Sequence, residues 1–120
     1  MKKLLFTLIL TLLSLEGISQ ELSKTEKVGE LAFQTVNFID MMQTLEIVQH
    51  DDLYYETNPI LGKHPKQHEV ITYFMIRGSL HYQITKWLPE KFRMPWLTVT
   101  FFPQIPIIEH NHNLGIRIGW

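Results

Sequence analysis

Along the chain, the apolar positions form one unbroken block followed by three striped stretches. Leu4 to Leu15 is a twelve-residue run without a charge, preceded by Lys2 and Lys3 and followed by Glu16-Gly17-Ile18-Ser19-Gln20. A basic start, a short apolar block and small residues at Gly17 and Ser19 make the pattern of a secretory signal cleaved after Ser19. An uncleaved N-terminal anchor helix fits the same residues. The block is shorter than the roughly 18 residues expected of a membrane-spanning helix. In either case residues 1–19 are an export segment, and residues 20–120 are left as one domain.

After a polar stretch from Glu21 to Lys27, the pattern from Val28 to Gln49 predicts a first helix, about 33 Å long at 1.5 Å per residue. Its apolar positions include Leu31, Phe38, Met42 and Leu45. Ser23 followed by Glu26 is placed to form a capping box before it. Asp51 and Asp52 close this helix, and Leu53 to Lys66 reads as a loop with Asn58-Pro59 and Gly62 as turn residues. Pro65 suits the first position of a second helix running to about Leu88, before Pro89. Pro95 suits the start of a third, from Trp96 towards His110, kinked or broken by Pro103 and Pro106. The end of the chain alternates as Leu114, Ile116, Ile118 and Trp120, a period of two that predicts a short extended C-terminus. The expected fold is all-α: a bundle of three helices after the N-terminal signal or anchor helix.

Polar residues fall on these helices at regular intervals. Tyr73, Arg77, His81 and Thr85 recur every four residues and share one face of the second helix. The first helix has a stripe at Asn37, Asp40, Gln43 and Thr44. Narrow polar stripes on otherwise apolar helices can face each other, in which case Arg77 and Asp40 are natural partners, because a charge in apolar surroundings needs a counter-charge. They can also both face water.

Composition changes this picture in a few places. The full chain has 120 residues with 11 basic and 12 acidic side chains, a net charge of -1, 45% apolar residues and no cysteine. Near-neutral charge removes the whole-chain case for nucleic-acid binding. Absence of cysteine excludes disulfides, thiolate metal sites and cysteine nucleophiles. Beyond residue 19 no stretch reaches 18 residues without a charge. An Arg or Asp at a span centre costs about 2.5–3.5 kcal/mol on the insertion scale against about 0.3–0.6 returned by each Leu or Ile, so the second helix inserts into a membrane only if paired with the first.

Candidate chemistry is sparse. Glu56 and Asn58 stand beside a Pro-fixed turn, where a carboxylate and an amide bond loop N–H groups and clamp helix ends. The alternative makes Glu56 an acid/base or a metal ligand. Six histidines raise a metal hypothesis: His64 and His68 lie four apart, and His110 and His112 two apart, with Glu109 or Asp51 to complete a set. There is no His-Glu-x-x-His, no nucleophile elbow around Ser79 and no phosphate-binding glycine loop. No cofactor and no small-molecule substrate is indicated.

The run Asp40-x-x-Gln43-Thr44, then Tyr55-Glu56-Thr57-Asn58-Pro59-Ile60-Leu61-Gly62 and His64-Pro65, resembles a group of short uncharacterised bacterial and phage proteins. The resemblance extends over most of residues 37–116, including His110-Asn111 and Gly115, and is specific at the loop. This chain departs from the pattern at Gln104, where an acidic side chain is expected, and in its prolines at 103 and 106. It implies an exported or membrane-associated helical protein of the bacterial cell envelope, in the inner membrane or periplasm. Its partners would be membrane lipid or another envelope protein, in an accessory or structural role. A small periplasmic metal-binding protein or metal-dependent hydrolase is the alternative. The expected polar cluster comprises Asp40, Gln43, Thr44, Glu56, Asn58, Arg77, His81, His110 and Asn111.

Overall fold

Ser23 caps the first of the four helices among residues 21–116. In the computed structural model, which describes Lys3 and residues 21–50 and 52–116, its hydroxyl accepts from the Glu26 N–H at 3.2 Å, and the Glu26 carboxylate accepts from the Ser23 N–H at 2.8 Å. This reciprocal capping box satisfies two backbone donors that a helix start otherwise leaves open. Helix α1 therefore runs Lys24–Gln49, four residues earlier than the apolar pattern implied. The export-segment reading of residues 1–19 lies outside the described residues, Lys3 excepted.

The second helix, α2, runs Gln67–Trp87. Pro65 is not its first residue, because Lys66 keeps an extended conformation (φ -80°, ψ 154°) and donates its N–H to the Glu69 carboxylate at 3.2 Å. Pro65 is buried just ahead of the helix. The third predicted helix is two: α3, Glu90–Phe101, and α4, Gln104–Asn113, separated at Phe102-Pro103. Pro95 does not open α3 but lies inside it; Pro89 precedes the first turn instead. The earlier start is imposed by tertiary contacts of Arg93, whose guanidinium donates back to the carbonyls of Lys86 and Leu88 at 3.0 Å each. Those bonds wrap the α2–α3 corner around one side chain. Pro106 leaves α4 intact, since it is the third residue of that helix, where an N–H has no intrahelical acceptor.

No strand occurs among the described residues. Asn113 ends α4, and Leu114-Gly115 form a turn with Gly115 at φ +95°. The expected extended C-terminus is thus replaced over residues 113–116, and residues 117–120 lie outside the described part. The protein is all-helical, with α1 central and packed against α2, α3 and α4. Among the described residues no helix is long and apolar enough to cross a membrane.

The interior is rich in polar groups. Among the described residues ten buried side chains are polar or charged, against eight large apolar ones and Pro65. Sixteen large hydrophobic residues are exposed, eleven of them on the helices, among them Leu31 and Phe38 on α1, Met75 and Leu80 on α2, Val99 on α3 and Ile107 on α4. Buried polar groups are the informative departure from the usual pattern, and scattered exposed apolar residues become informative when they surround a polar interior.

Candidate functional site

The inner face of α1 carries Glu26, Glu30, Phe33, Asn37 and Thr44, spaced three, four or seven residues apart, so its polar stripe points into the bundle. The stripe of α2 meets it. Arg77 donates to the Asp40 carboxylate at 3.3 Å and lies over the Phe33 and Phe74 rings, 5.5 and 5.8 Å from their centroids. The Asn37 amide donates to the Phe74 carbonyl at 3.1 Å, and the Gln34 amide to the Gly78 carbonyl at 2.9 Å. Gly78 permits this approach, because a Cβ there would stand 2.7 Å from the Gln34 amide oxygen.

One turn further along α2, both ring nitrogens of His81 are engaged in the interior. Its Nδ1 lies 2.6 Å from one Glu30 oxygen and 2.9 Å from the other, with both side chains almost wholly buried. Its Nε2 lies 2.7 Å from the Thr100 hydroxyl of α3. The ring is stacked on Phe33, with centroids 3.4 Å apart and planes 5° from parallel, and it has Trp96 on another side at 5.0 Å. The Thr85 hydroxyl donates to the His81 carbonyl at 2.8 Å, stands 3.4 Å from the Glu30 oxygen closest to His81 and receives the Trp96 indole N–H at 2.9 Å. Carboxylate, imidazole and hydroxyl thus form a fixed series across three helices. Such a series holds the imidazole in one orientation and can carry a proton from the hydroxyl to the ring.

A second charge pair closes the other end of the interior. Arg93 donates to Glu26 at 3.2 Å and to the Glu21 carbonyl at 3.2 Å. The Glu26 carboxyl is held below its ordinary value of 4.5, first by the Ser23 backbone N–H and also by the Arg93 guanidinium, against the opposing effect of burial.

Two cavities flank Arg77. One, about 470 Å³, lies between α2 and α3 and is walled by Ile76, Leu80, Ile84 and Val99, with His81 and Thr100 on its inner side. The other, about 800 Å³, is lined by Asp40, Glu56, Asn58, His110 and Asn111 together with Tyr54. Tyr73, Arg77, Pro103 and Gln104 line both and form the partition. Both volumes fall in the range of about 300–1,000 Å³ of small-molecule sites.

The sequence-predicted cluster is therefore divided. Asp40, Glu56, Asn58, Arg77, His110 and Asn111 share the larger cavity, whereas His81 faces the smaller one. Gln43 is buried and braces α4, donating to the Ile108 carbonyl at 3.1 Å and accepting from Asn111 at 3.2 Å. Thr44 only bonds back to the Asp40 carbonyl, at 2.9 Å. Glu56 accepts from the N–H groups of Thr57 and Asn58, and the Asn58 side chain accepts from Ile60, so both are engaged in holding their own loop. His64, His68, His110 and His112 are exposed, and among the described residues no three His, Asp or Glu gather as a metal site.

Sequence reasoning missed Glu30, Glu26, Arg93 and Thr100. Glu26 and Glu30 carried a signal, since they extend the Asn37 stripe backwards along the same face of α1. Arg93 and Thr100 carried none that pattern alone could reveal. Comparison of the chain with protein-family models, curated proteins and solved structures gives no match.

Proposed function

We propose that this protein is an exported helical bundle of the bacterial cell envelope, associated with the membrane and serving an accessory or structural role there. The observation that carries the reading is the side-chain distribution among the described residues. Ten polar or charged groups are buried, while eleven large hydrophobic residues on the helices and five in the loops and turns are exposed. In water that arrangement exposes apolar area without return; in hydrocarbon the exposed apolar residues along the helices are in favoured surroundings.

Helix lengths support the same reading. α1 has 26 residues and α2 has 21, about 39 and 32 Å at 1.5 Å per residue. The hydrocarbon core of a bilayer is about 30 Å thick. Polar side chains keep the mean hydropathy of each helix low. In the middle of α1 and α2, Glu30, Asn37, Gln43, Thr44, His81 and Thr85 are buried and hydrogen-bonded, and Gln83 is buried with neither amide atom bonded. Lys24, Lys27, His68 and Glu69 near the helix starts are exposed. Asp40–Arg77 is an ion pair between α1 and α2, and Glu30–His81 a buried hydrogen-bonded couple between the same helices. The basic, apolar and small-residue order of residues 1–19 supports export. Lipid, or the apolar surface of another envelope protein, is the partner that the outward residues fit.

Alkaline carbonate extraction of membranes from expressing cells tests the reading. Retention of the protein in the pellet is expected; full release into the soluble fraction overturns it.

A further inference from the structure

We propose that Thr100 is a nucleophile for acyl transfer, with His81 as its general base and Glu30 as the positioning carboxylate, acting on esters that carry a hydrocarbon chain. The inference goes beyond membrane placement and does not depend on it.

Geometry supplies the first ground. A nucleophile, a base and an orienting acid are recognised by successive contacts of about 2.6–3.2 Å. Thr100 Oγ1 to His81 Nε2 is 2.7 Å, and His81 Nδ1 to Glu30 is 2.6 Å. The stacked Phe33 ring and the Trp96 indole leave the imidazole no freedom to turn away. Thr85 stands 3.4 Å from the same Glu30 oxygen that lies closest to Nδ1.

Access supplies the second. His81 and Glu30 are sealed, but Thr100 is only partly buried and stands in the wall of the 470 Å³ cavity. Ile76, Leu80, Ile84 and Val99 form an apolar wall of that cavity together with the Phe33 and Trp96 rings, and Leu80 and Val99 are exposed at its edge, which suits a hydrocarbon chain. Arg77 lines it too and makes one contact of 3.3 Å with Asp40, leaving guanidinium N–H groups for an oxyanion.

The step balances with the ester and water alone. With the Nδ1 proton on the Glu30 side, Nε2 offers a lone pair to Thr100. The hydroxyl has one proton and three acceptors, Nε2 at 2.7 Å, the Trp96 carbonyl at 2.8 Å and the Leu97 carbonyl at 3.3 Å. Turned to Nε2, it gives up that proton as Oγ1 forms a bond to the acyl carbon. Glu30 then balances the imidazolium. The tetrahedral adduct collapses by breaking the bond to the alkoxy oxygen, which takes the proton from Nε2. Water, deprotonated by the same ring, attacks the acyl-threonine, releases the carboxylic acid and returns the proton to Oγ1.

The test uses the full-length protein in mild detergent with p-nitrophenyl decanoate and p-nitrophenyl acetate. Expected are release of nitrophenolate, faster with the decanoyl ester, and a decanoyl group on the Thr100 peptide by mass spectrometry. Thr100→Val and His81→Gln should each lower the rate at least ~100-fold, as loss of a nucleophile or general base does. Thr100→Ser should keep it, and Glu30→Gln should shift the pH–rate profile while leaving the adduct at residue 100. An inert wild type, or a Thr100→Val protein with the wild-type melting temperature and undiminished rate, overturns the proposal. If Thr100→Val does not fold, labelling of the wild type and of Thr100→Ser decides: absence of an acyl group at residue 100 in both overturns it.

Discussion

The Nδ1 of His81 lies 2.6 Å from a carboxylate oxygen of Glu30, a residue of another helix, and both side chains are almost completely enclosed. No water competes for either group, so each is the other's principal polar partner. Removing one leaves the second buried without compensation, which costs about 3–5 kcal/mol. Glu30→Ala should therefore lower the melting temperature in detergent far more than Glu30→Gln, whose amide still reaches His81. Equal losses for the two variants would show that volume, not polarity, matters at this position.

Asp40 and Arg77 make a weaker couple. Their contact is 3.3 Å and their side chains are 15% and 25% exposed, so solvent screens part of the attraction. A double-mutant cycle on Asp40→Ala and Arg77→Ala should give a coupling of roughly 1 kcal/mol. Strict additivity in chemical denaturation would contradict direct pairing.

Acid should act on the Ser23–Glu26–Arg93 corner. The folded carboxyl titrates below its ordinary value of 4.5, so the unfolded chain binds the proton more readily. Its stabilising contribution is fully present above about that ordinary value and is lost as pH falls through the lower folded one. Glu26→Gln should reduce stability at neutral pH and flatten the acid limb of a stability–pH curve. An unchanged acid limb would remove Glu26 as its source.

Outward positions distinguish lipid from water. Val99 is 65% exposed and Leu31 67%. On a surface facing water, charged substitutions there change stability by no more than about 0.5 kcal/mol. Facing hydrocarbon, each costs about 2.5–3.5 kcal/mol on the insertion scale. Leu31→Arg and Val99→Asp should sharply reduce recovery in the membrane fraction, whereas Asp52→Arg in the loop should not. Equal recovery of all three would count against immersion of the bundle.

Pro95 lacks the N–H that would bond the Lys91 carbonyl inside α3. Pro95→Ala restores it and should raise stability by up to ~3 kcal/mol, the helix-propensity difference between the two residues. A lower melting temperature would mean that the helix needs the distortion for its packing.

Local features were legible because they depend on neighbours in sequence. The Ser23–Glu26 box, the loop held by Glu56 and Asn58, and the break at Pro103 all follow from short-range bonding rules. Pro95 and Pro106 were misread for complementary reasons. The first sits inside a helix started early by the contacts of Arg93; the second falls in a first turn that needs no donor.

The helical class, the four-residue spacing from Tyr73 to Thr85 and the availability of Asp40 and Arg77 as opposite charges can be read along the chain, since periodicity and charge are its own properties. Which way the stripes point depends on the packing of the helices. A polar face is equally consistent with water outside and with a polar interior, and the choice is made by what packs against it. Here Phe33, Trp96 and Thr100, from two other helices, enclose His81 and bring Glu30 to it. Contacts between residues 19 and 51 positions apart leave no trace in local spacing. They exist only once the helices are folded together.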